Sequence, residues 1–138
     1  MRRAPVSLCL AAALLGACGT AAPEPTPAAS GPSGSLGVMT AEAGTEAVAA
    51  LCDLRGATER DTANATFFDR AHQTLHVLAA ATETVDRVPA AGLLQAKQVV
   101  EADLRSAPLA KSFRADVDAL LDAGRAALET VDLPAPGC

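Results

Sequence analysis

Apolar residues recur three or four positions apart over most of the chain from residue 40 onward, which is the spacing of one helical face. The first predicted helix covers 40–54 and ends at Gly56, with Gly44 weakening its first turns. Its apolar side carries Val48, Leu51 and Cys52. The second predicted helix begins near Asp61, a suitable N-cap, and ends before Pro89. Its apolar side carries Phe67, Ala71, Leu75, Leu78, Thr82 and Val85.

Two further helices are predicted after this point. Pro89 suits the first turn of the third helix, because its missing N–H has no helical partner there. The apolar side of that helix carries Leu93, Val100 and Leu104. Lys97, Glu101 and Arg105 follow at four-residue steps and are interpreted as a solvated ladder of charges. The fourth helix is predicted to open at Pro108. Its apolar residues repeat close to a heptad, at Phe113, Val117, Leu120, Gly124, Leu128 and Val131.

Four amphipathic helices with short connections predict an all-α fold, an antiparallel helical bundle over residues 39–138. Because the first helix is the weakest, three helices plus a packed N-terminal helical arm is the alternative. Composition favours helix as well: half of the residues are hydrophobic, alanine is the commonest of them, and the chain contains no isoleucine. A length of 138 residues is consistent with one domain at most.

The first 18 residues have the order of an export signal. Two arginines precede a short apolar run over 6–15, which is well below the roughly 20 residues that cross a bilayer. The run leads into Leu15-Gly16-Ala17-Cys18, which resembles the lipobox of bacterial lipoproteins. The resemblance implies that 1–17 is a signal peptide and that the Cys18 sulfur receives a diacylglycerol. An ordinary secretory signal with an incidental Cys18 is the alternative.

Residues 18–38 are predicted to form a lipidated, flexible tether, because four prolines are interleaved with alanine, serine and glycine. Removal of 1–17 leaves 9 basic and 16 acidic side chains, a net charge of −7. An anionic leaflet would repel that domain weakly, so the lipid on Cys18 must supply the membrane attachment. The predicted location is therefore the cell membrane, lipid-anchored and facing outside the cytoplasm.

The chain has four cysteines, of which Cys9 leaves with the signal peptide and Cys18 is the lipidation site. Cys52 and Cys138 remain, in a compartment where disulfides persist. A bridge between them would close a loop of about 87 residues and contribute about 4.6 kcal/mol of stability by loop entropy. The alternatives are a buried free Cys52 with an exposed Cys138, or pairing with another chain.

The two histidines, His72 and His76, are the strongest candidates for chemistry. They lie four residues apart in the second predicted helix, so both imidazoles flank its apolar face, with Asp69 nearby. Two imidazoles with a carboxylate suit a divalent ion such as Zn²⁺ or Cu²⁺. Further ligands would come from another helix, such as Asp116 or Asp118. A polar flank at the edge of the core is the alternative, because two histidines without an identified third ligand are a weak signal.

Other functional classes find little support in the sequence. In zinc proteases the residue after the first histidine of such a pair is the glutamate base, and here that residue is Gln73. The sequence also contains no phosphate-binding loop, dinucleotide fingerprint or nucleophile elbow. An enzyme is therefore not expected. A net charge of −5 without Trp or Tyr argues against nucleic-acid binding. The expected function is an anchored accessory or interaction module that contacts another envelope protein. The alternative is a divalent-metal-binding lipoprotein that uses His72 and His76.

Overall fold

The computed structural model describes residues 37–138, so the predicted signal peptide, Cys18 and all but the last residues of the tether lie outside the described residues. The described part is all-helical, with five helices and no strands. None of these five helices has the length and apolar character that a membrane span requires. The helices are α1 (Ala41–Arg55), α2 (Arg60–Arg70), α3 (His72–Glu83), α4 (Arg87–Leu104) and α5 (Phe113–Thr130).

Helix α1 begins and ends within one residue of its predicted limits. The Thr40 side chain accepts a hydrogen bond from the Ala43 N–H at 3.2 Å, and Gly56 is the C-cap. Gly44, predicted only to weaken this helix, is buried against α5. A Cβ added there would lie 2.7 Å from Leu128 Cδ2. The absence of a side chain at Gly44 therefore lets α1 approach α5 closely.

The second predicted helix is wrong in one respect, because two helices occupy its place. α2 and α3 meet at Ala71, whose φ of −119° departs from helical geometry. The Ala71 N–H still donates to the Phe67 carbonyl and its own carbonyl accepts from Leu75, both at 3.0 Å. α3 then ends at Glu83, so Val85 lies in the turn before α4 and is exposed, contrary to its predicted place on the apolar face.

Helix α4 begins where the sequence predicts, but helix α5 does not. Asp86 caps α4 by accepting a hydrogen bond from the Val88 N–H at 2.8 Å, and Pro89 lies in the first turn. Pro108 does not open a helix: α5 begins five residues later, at Phe113. The intervening connection contains a cis Ala107–Pro108 peptide and packs Leu109 against the core, so Pro108 belongs to that connection.

The core runs through all five helices, with α4 packed mainly against α3 and α5, and α1 against α5 and α2. The largest fully buried side chains are Phe67, Leu51, Leu54, Leu75, Leu78, Leu93, Leu120, Leu128, Val100, Val117 and Thr82. Thr82 is the one polar residue among them. Its hydroxyl donates to the Leu78 carbonyl at 2.8 Å, which satisfies the group inside an apolar environment.

A disulfide between Cys52 and Cys138 attaches the C-terminal segment to α1, with a Cα–Cα distance of 5.5 Å, which confirms the predicted pairing. The chain reverses after α5 at Asp132, whose φ is +55°. The Leu133 N–H donates to the Leu128 carbonyl at 2.9 Å, the bond that defines a Schellman motif. Leu133 packs against the core, so the turn directs the last residues back along the helices towards Cys52.

Candidate functional site

The two histidines lie side by side at the start of α3. His72 is the first residue of the helix and His76 lies one turn later, and both are half-buried. Their ring centroids are 4.8 Å apart and nearly perpendicular. Phe68, from α2, packs against His72 with 5.1 Å between ring centroids. The prediction that both imidazoles share one side of the helix and flank the core is therefore confirmed.

Helix α4 supplies the charged partners of this pair. His72 Nε2 lies 3.0 Å from Glu101 Oε1, and Lys97 Nζ donates to the same oxygen at 2.5 Å. Only 4% of Lys97 is exposed. A single carboxylate therefore holds a buried ammonium and an imidazole at the contact between α3 and α4.

The predicted solvated ladder is wrong for two of its three members. Lys97 is buried, the Glu101 side chain is 18% exposed, and only Arg105 faces the solvent. The physical reason is the position of Lys97 on α4. It lies one turn after Leu93 and three residues before Val100, which places it within the buried stripe. A lysine in such a position is retained only with a counter-ion, which Glu101 provides.

The cluster shifts the titration of two of its groups. Burial lowers the pKa of His76, and the positive charges of Lys97 and His72 lower it further, against the opposing effect of Glu101. Burial by itself would raise the pKa of Glu101, but the hydrogen bond and charge of Lys97, together with His72, outweigh it and lower the pKa. At neutral pH His76 is therefore a neutral imidazole and Glu101 a carboxylate.

His76 also lines a shallow cavity of about 280 Å³ between α3 and α4. The other lining residues are Gln73, Ala79, Ala80, Glu83 and Leu94. Phe68 touches His72, His72 touches His76, and His76 shares the cavity with Leu94. Phe68, His72, His76 and Leu94 therefore border one partly exposed surface, which we name the α3–α4 face.

The remaining predicted ligands lie elsewhere. Asp69 is exposed in α2 and takes no part in the contacts of the two imidazoles. Asp118 pairs with Arg55 at 2.5 Å. Within residues 37–138, no group of three or more His, Cys, Asp or Glu side chains is arranged to hold a metal ion. The structure therefore brings together His72 and His76, and adds Glu101 and Lys97, which the sequence did not indicate as site residues.

A second pair of acids joins the C-terminal turn of α4 to the first turn of α5. Burial raises the pKa of Asp103, and the hydrogen bond and negative charge of Asp116 raise it further. One oxygen of Asp103, Oδ2, is buried without a hydrogen-bond partner among the described residues. Asp116, named from the sequence as a possible metal ligand, thus faces another carboxyl group, not the histidines.

Comparison with protein-family models, with curated proteins and with solved structures gives no match for this chain.

Proposed function

We propose that this chain is a membrane-anchored lipoprotein that faces outside the cytoplasm and acts as an accessory interaction module. The sequence Leu15-Gly16-Ala17-Cys18 supports the anchor, since it resembles a lipobox. The Cys52–Cys138 disulfide is consistent with export, because such bonds persist in oxidising compartments. The helical domain, an antiparallel bundle in this proposal, would be held at the surface by a lipid on Cys18 and a tether over 18–38.

The main support for a role in protein interaction is the α3–α4 face. Phe68 is 45% exposed and Leu94 is 36% exposed; the two imidazoles follow Phe68, and His76 lines the same cavity as Leu94. Aromatic and apolar side chains that share one partly exposed surface are typical of the centre of a protein interface. Burying one such side chain contributes about 1.5–3 kcal/mol. The partner of this proposal is another exported protein with an apolar contact surface and a basic rim, since the chain after residue 17 carries a net charge of −7.

Site-specific crosslinking in cells tests the interaction. A photoreactive residue at Leu94 is expected to give a discrete adduct with one partner. The same residue at Ala126, which is exposed on α5, is the matched control and is expected to give none. Equal crosslinking from both positions, or none from Leu94, would contradict this role for the α3–α4 face.

The anchor is tested independently of the partner. Cys18→Ser is expected to release the protein from the membrane fraction, because the net charge of the domain does not favour binding to anionic lipid. A Cys18→Ser variant that stays in the membrane fraction would show that the lipoprotein interpretation is wrong.

A second candidate function is divalent-metal binding by His72 and His76. One contact favours it. His72 Nε2 lies 3.0 Å from Glu101 Oε1, so a neutral imidazole that carries its proton on Nε2 would present Nδ1 to an ion, as in the carboxylate–histidine–metal arrangement of many metal sites. Titration calorimetry with Zn²⁺ and Cu²⁺ tests it. Micromolar or tighter binding that the His72→Ala, His76→Ala double variant loses, and that weakens below about pH 6, is expected. Equal weak heats from both proteins would exclude the role.

A further inference from the structure

The end of the molecule opposite the α3–α4 turn contains a cavity of about 300 Å³. It lies where the loop after α1 meets the first turn of α5. The lining residues are Cys52, Arg55, Gly56, Ala57, Thr58 and Arg114. Two arginines from separate helices and one threonine therefore border the same small space, in a chain whose acidic groups outnumber its basic ones.

The two arginines differ in their existing partners. Arg55 uses Nε to pair with Asp118 at 2.5 Å. A guanidinium has five N–H donors, so the terminal nitrogens of Arg55 keep donors beyond this contact. Within residues 37–138, no salt bridge involves Arg114, which is exposed as the second residue of α5. The positive end of the α5 helix dipole lies at the same position.

We propose that this cavity, bordered by Arg55, Arg114 and Thr58, binds a small oxyanion of the phosphate class. Guanidinium groups match phosphate oxygens in pairs, and a hydroxyl supplies a further donor. A volume of about 300 Å³ lies at the lower end of ligand pockets, which fits a phosphate ion or a small phosphomonoester better than a nucleotide. This site is independent of the α3–α4 face.

Titration of the full chain in neutral detergent with inorganic phosphate, at constant ionic strength, tests the site. Amide resonances of Thr58 and Arg114 are expected to shift in a saturable manner with a millimolar or lower dissociation constant. Arg114→Gln is expected to weaken binding at least about tenfold, the size of one lost charge-assisted hydrogen bond. Arg114 makes no salt bridge within residues 37–138, so the variant should retain its helical circular dichroism.

The matched control is Arg87→Gln, an exposed arginine in the first turn of α4, at the other end of the molecule. It is expected to bind phosphate as the unmodified chain does. Competition with phosphatidylglycerol in the same micelles would identify a lipid headgroup as the source of the oxyanion, whereas competition only by glycerol 3-phosphate would identify a soluble one. Absence of saturable shifts, or equal weakening by Arg87→Gln and Arg114→Gln, would overturn the proposal.

Discussion

Replacing Glu101 by Gln removes the one charge that Lys97 and His72 share, with almost no change in side-chain size. Lys97 is only 4% exposed, so its ammonium would remain inside the protein without a counter-ion. Leaving one member of a buried ion pair unpaired costs about 3–5 kcal/mol. Because the Glu101 side chain is 18% exposed, water screens part of the interaction, and we expect a loss of about 2–3 kcal/mol in the free energy of unfolding.

A double-mutant cycle separates this effect from a general weakening of α4. Lys97→Met keeps the apolar stem of the side chain and removes the buried charge. The Lys97→Met, Glu101→Gln double variant has no unpaired charge, so its loss is expected to be smaller than the sum of the single losses by about 1–3 kcal/mol. Urea unfolding at pH 7.5, followed by far-ultraviolet circular dichroism, measures all four proteins.

An exposed ion pair provides the control. Arg125 contacts Asp122 at 3.5 Å on the surface of α5, so Asp122→Asn is expected to change stability by less than about 0.5 kcal/mol. If Glu101→Gln costs no more than Asp122→Asn, then Lys97 reaches solvent, and the description of a buried ammonium held by a shared carboxylate is refuted.

Three further outcomes are expected. Because the pKa of His76 is lowered in the folded protein, its contribution to stability is present above pH 6.5 and is lost as the pH falls below that value. The free energy of unfolding, measured from pH 7.5 to 5.5, should therefore fall less in His76→Gln than in the unmodified chain. An equal fall of the unfolding free energy in both proteins would contradict this. A Cβ added at Gly124 meets no atom within 4 Å, so Gly124→Ala should raise the unfolding free energy by about 1 kcal/mol. Gly44→Ala should bring no such gain, because the new Cβ would lie against the side chain of Leu128. Similar melting temperatures for the two variants would argue against the close approach of α1 and α5. Cys138→Ser should lower the unfolding free energy by about 4–5 kcal/mol, and a loss below 1 kcal/mol would show that the loop-entropy argument fails here.

The features that the sequence predicted well have local signals. Thr40 and Gly56 delimit α1, and Pro89 fits only a first turn, because capping and proline geometry act within a few residues. The disulfide was predicted by elimination, since only two cysteines remain after the export signal. Such inferences need no knowledge of how distant segments pack.

The features that escaped prediction depend on tertiary packing. Ala71 has no glycine or proline beside it, so no local signal indicates that α2 and α3 separate there. The burial of Lys97, in contrast, does have a signal in the sequence. At 100° per residue Lys97 lies about 20° from Leu104 on α4, inside the apolar stripe, and that signal was available. The four-residue spacing to Glu101 was equally compatible with an exposed pair, and the position of α3 decides between the two.

The two functional proposals predict different effects of replacing Glu101 by Gln. If His72 binds a metal ion through Nδ1, the Nε2–H must keep its carboxylate acceptor, and Glu101→Gln should weaken Zn²⁺ or Cu²⁺ binding by about 10–100-fold. If the α3–α4 face binds a protein, contact is made by Phe68 and Leu94, and the same variant should crosslink normally from Leu94 as long as it is folded. Circular dichroism under the assay conditions establishes folding in both cases. Weaker metal binding with unchanged crosslinking would show that Glu101 supports a metal site at His72. Unchanged metal binding would show that the contact between His72 and Glu101 does not contribute to a metal site.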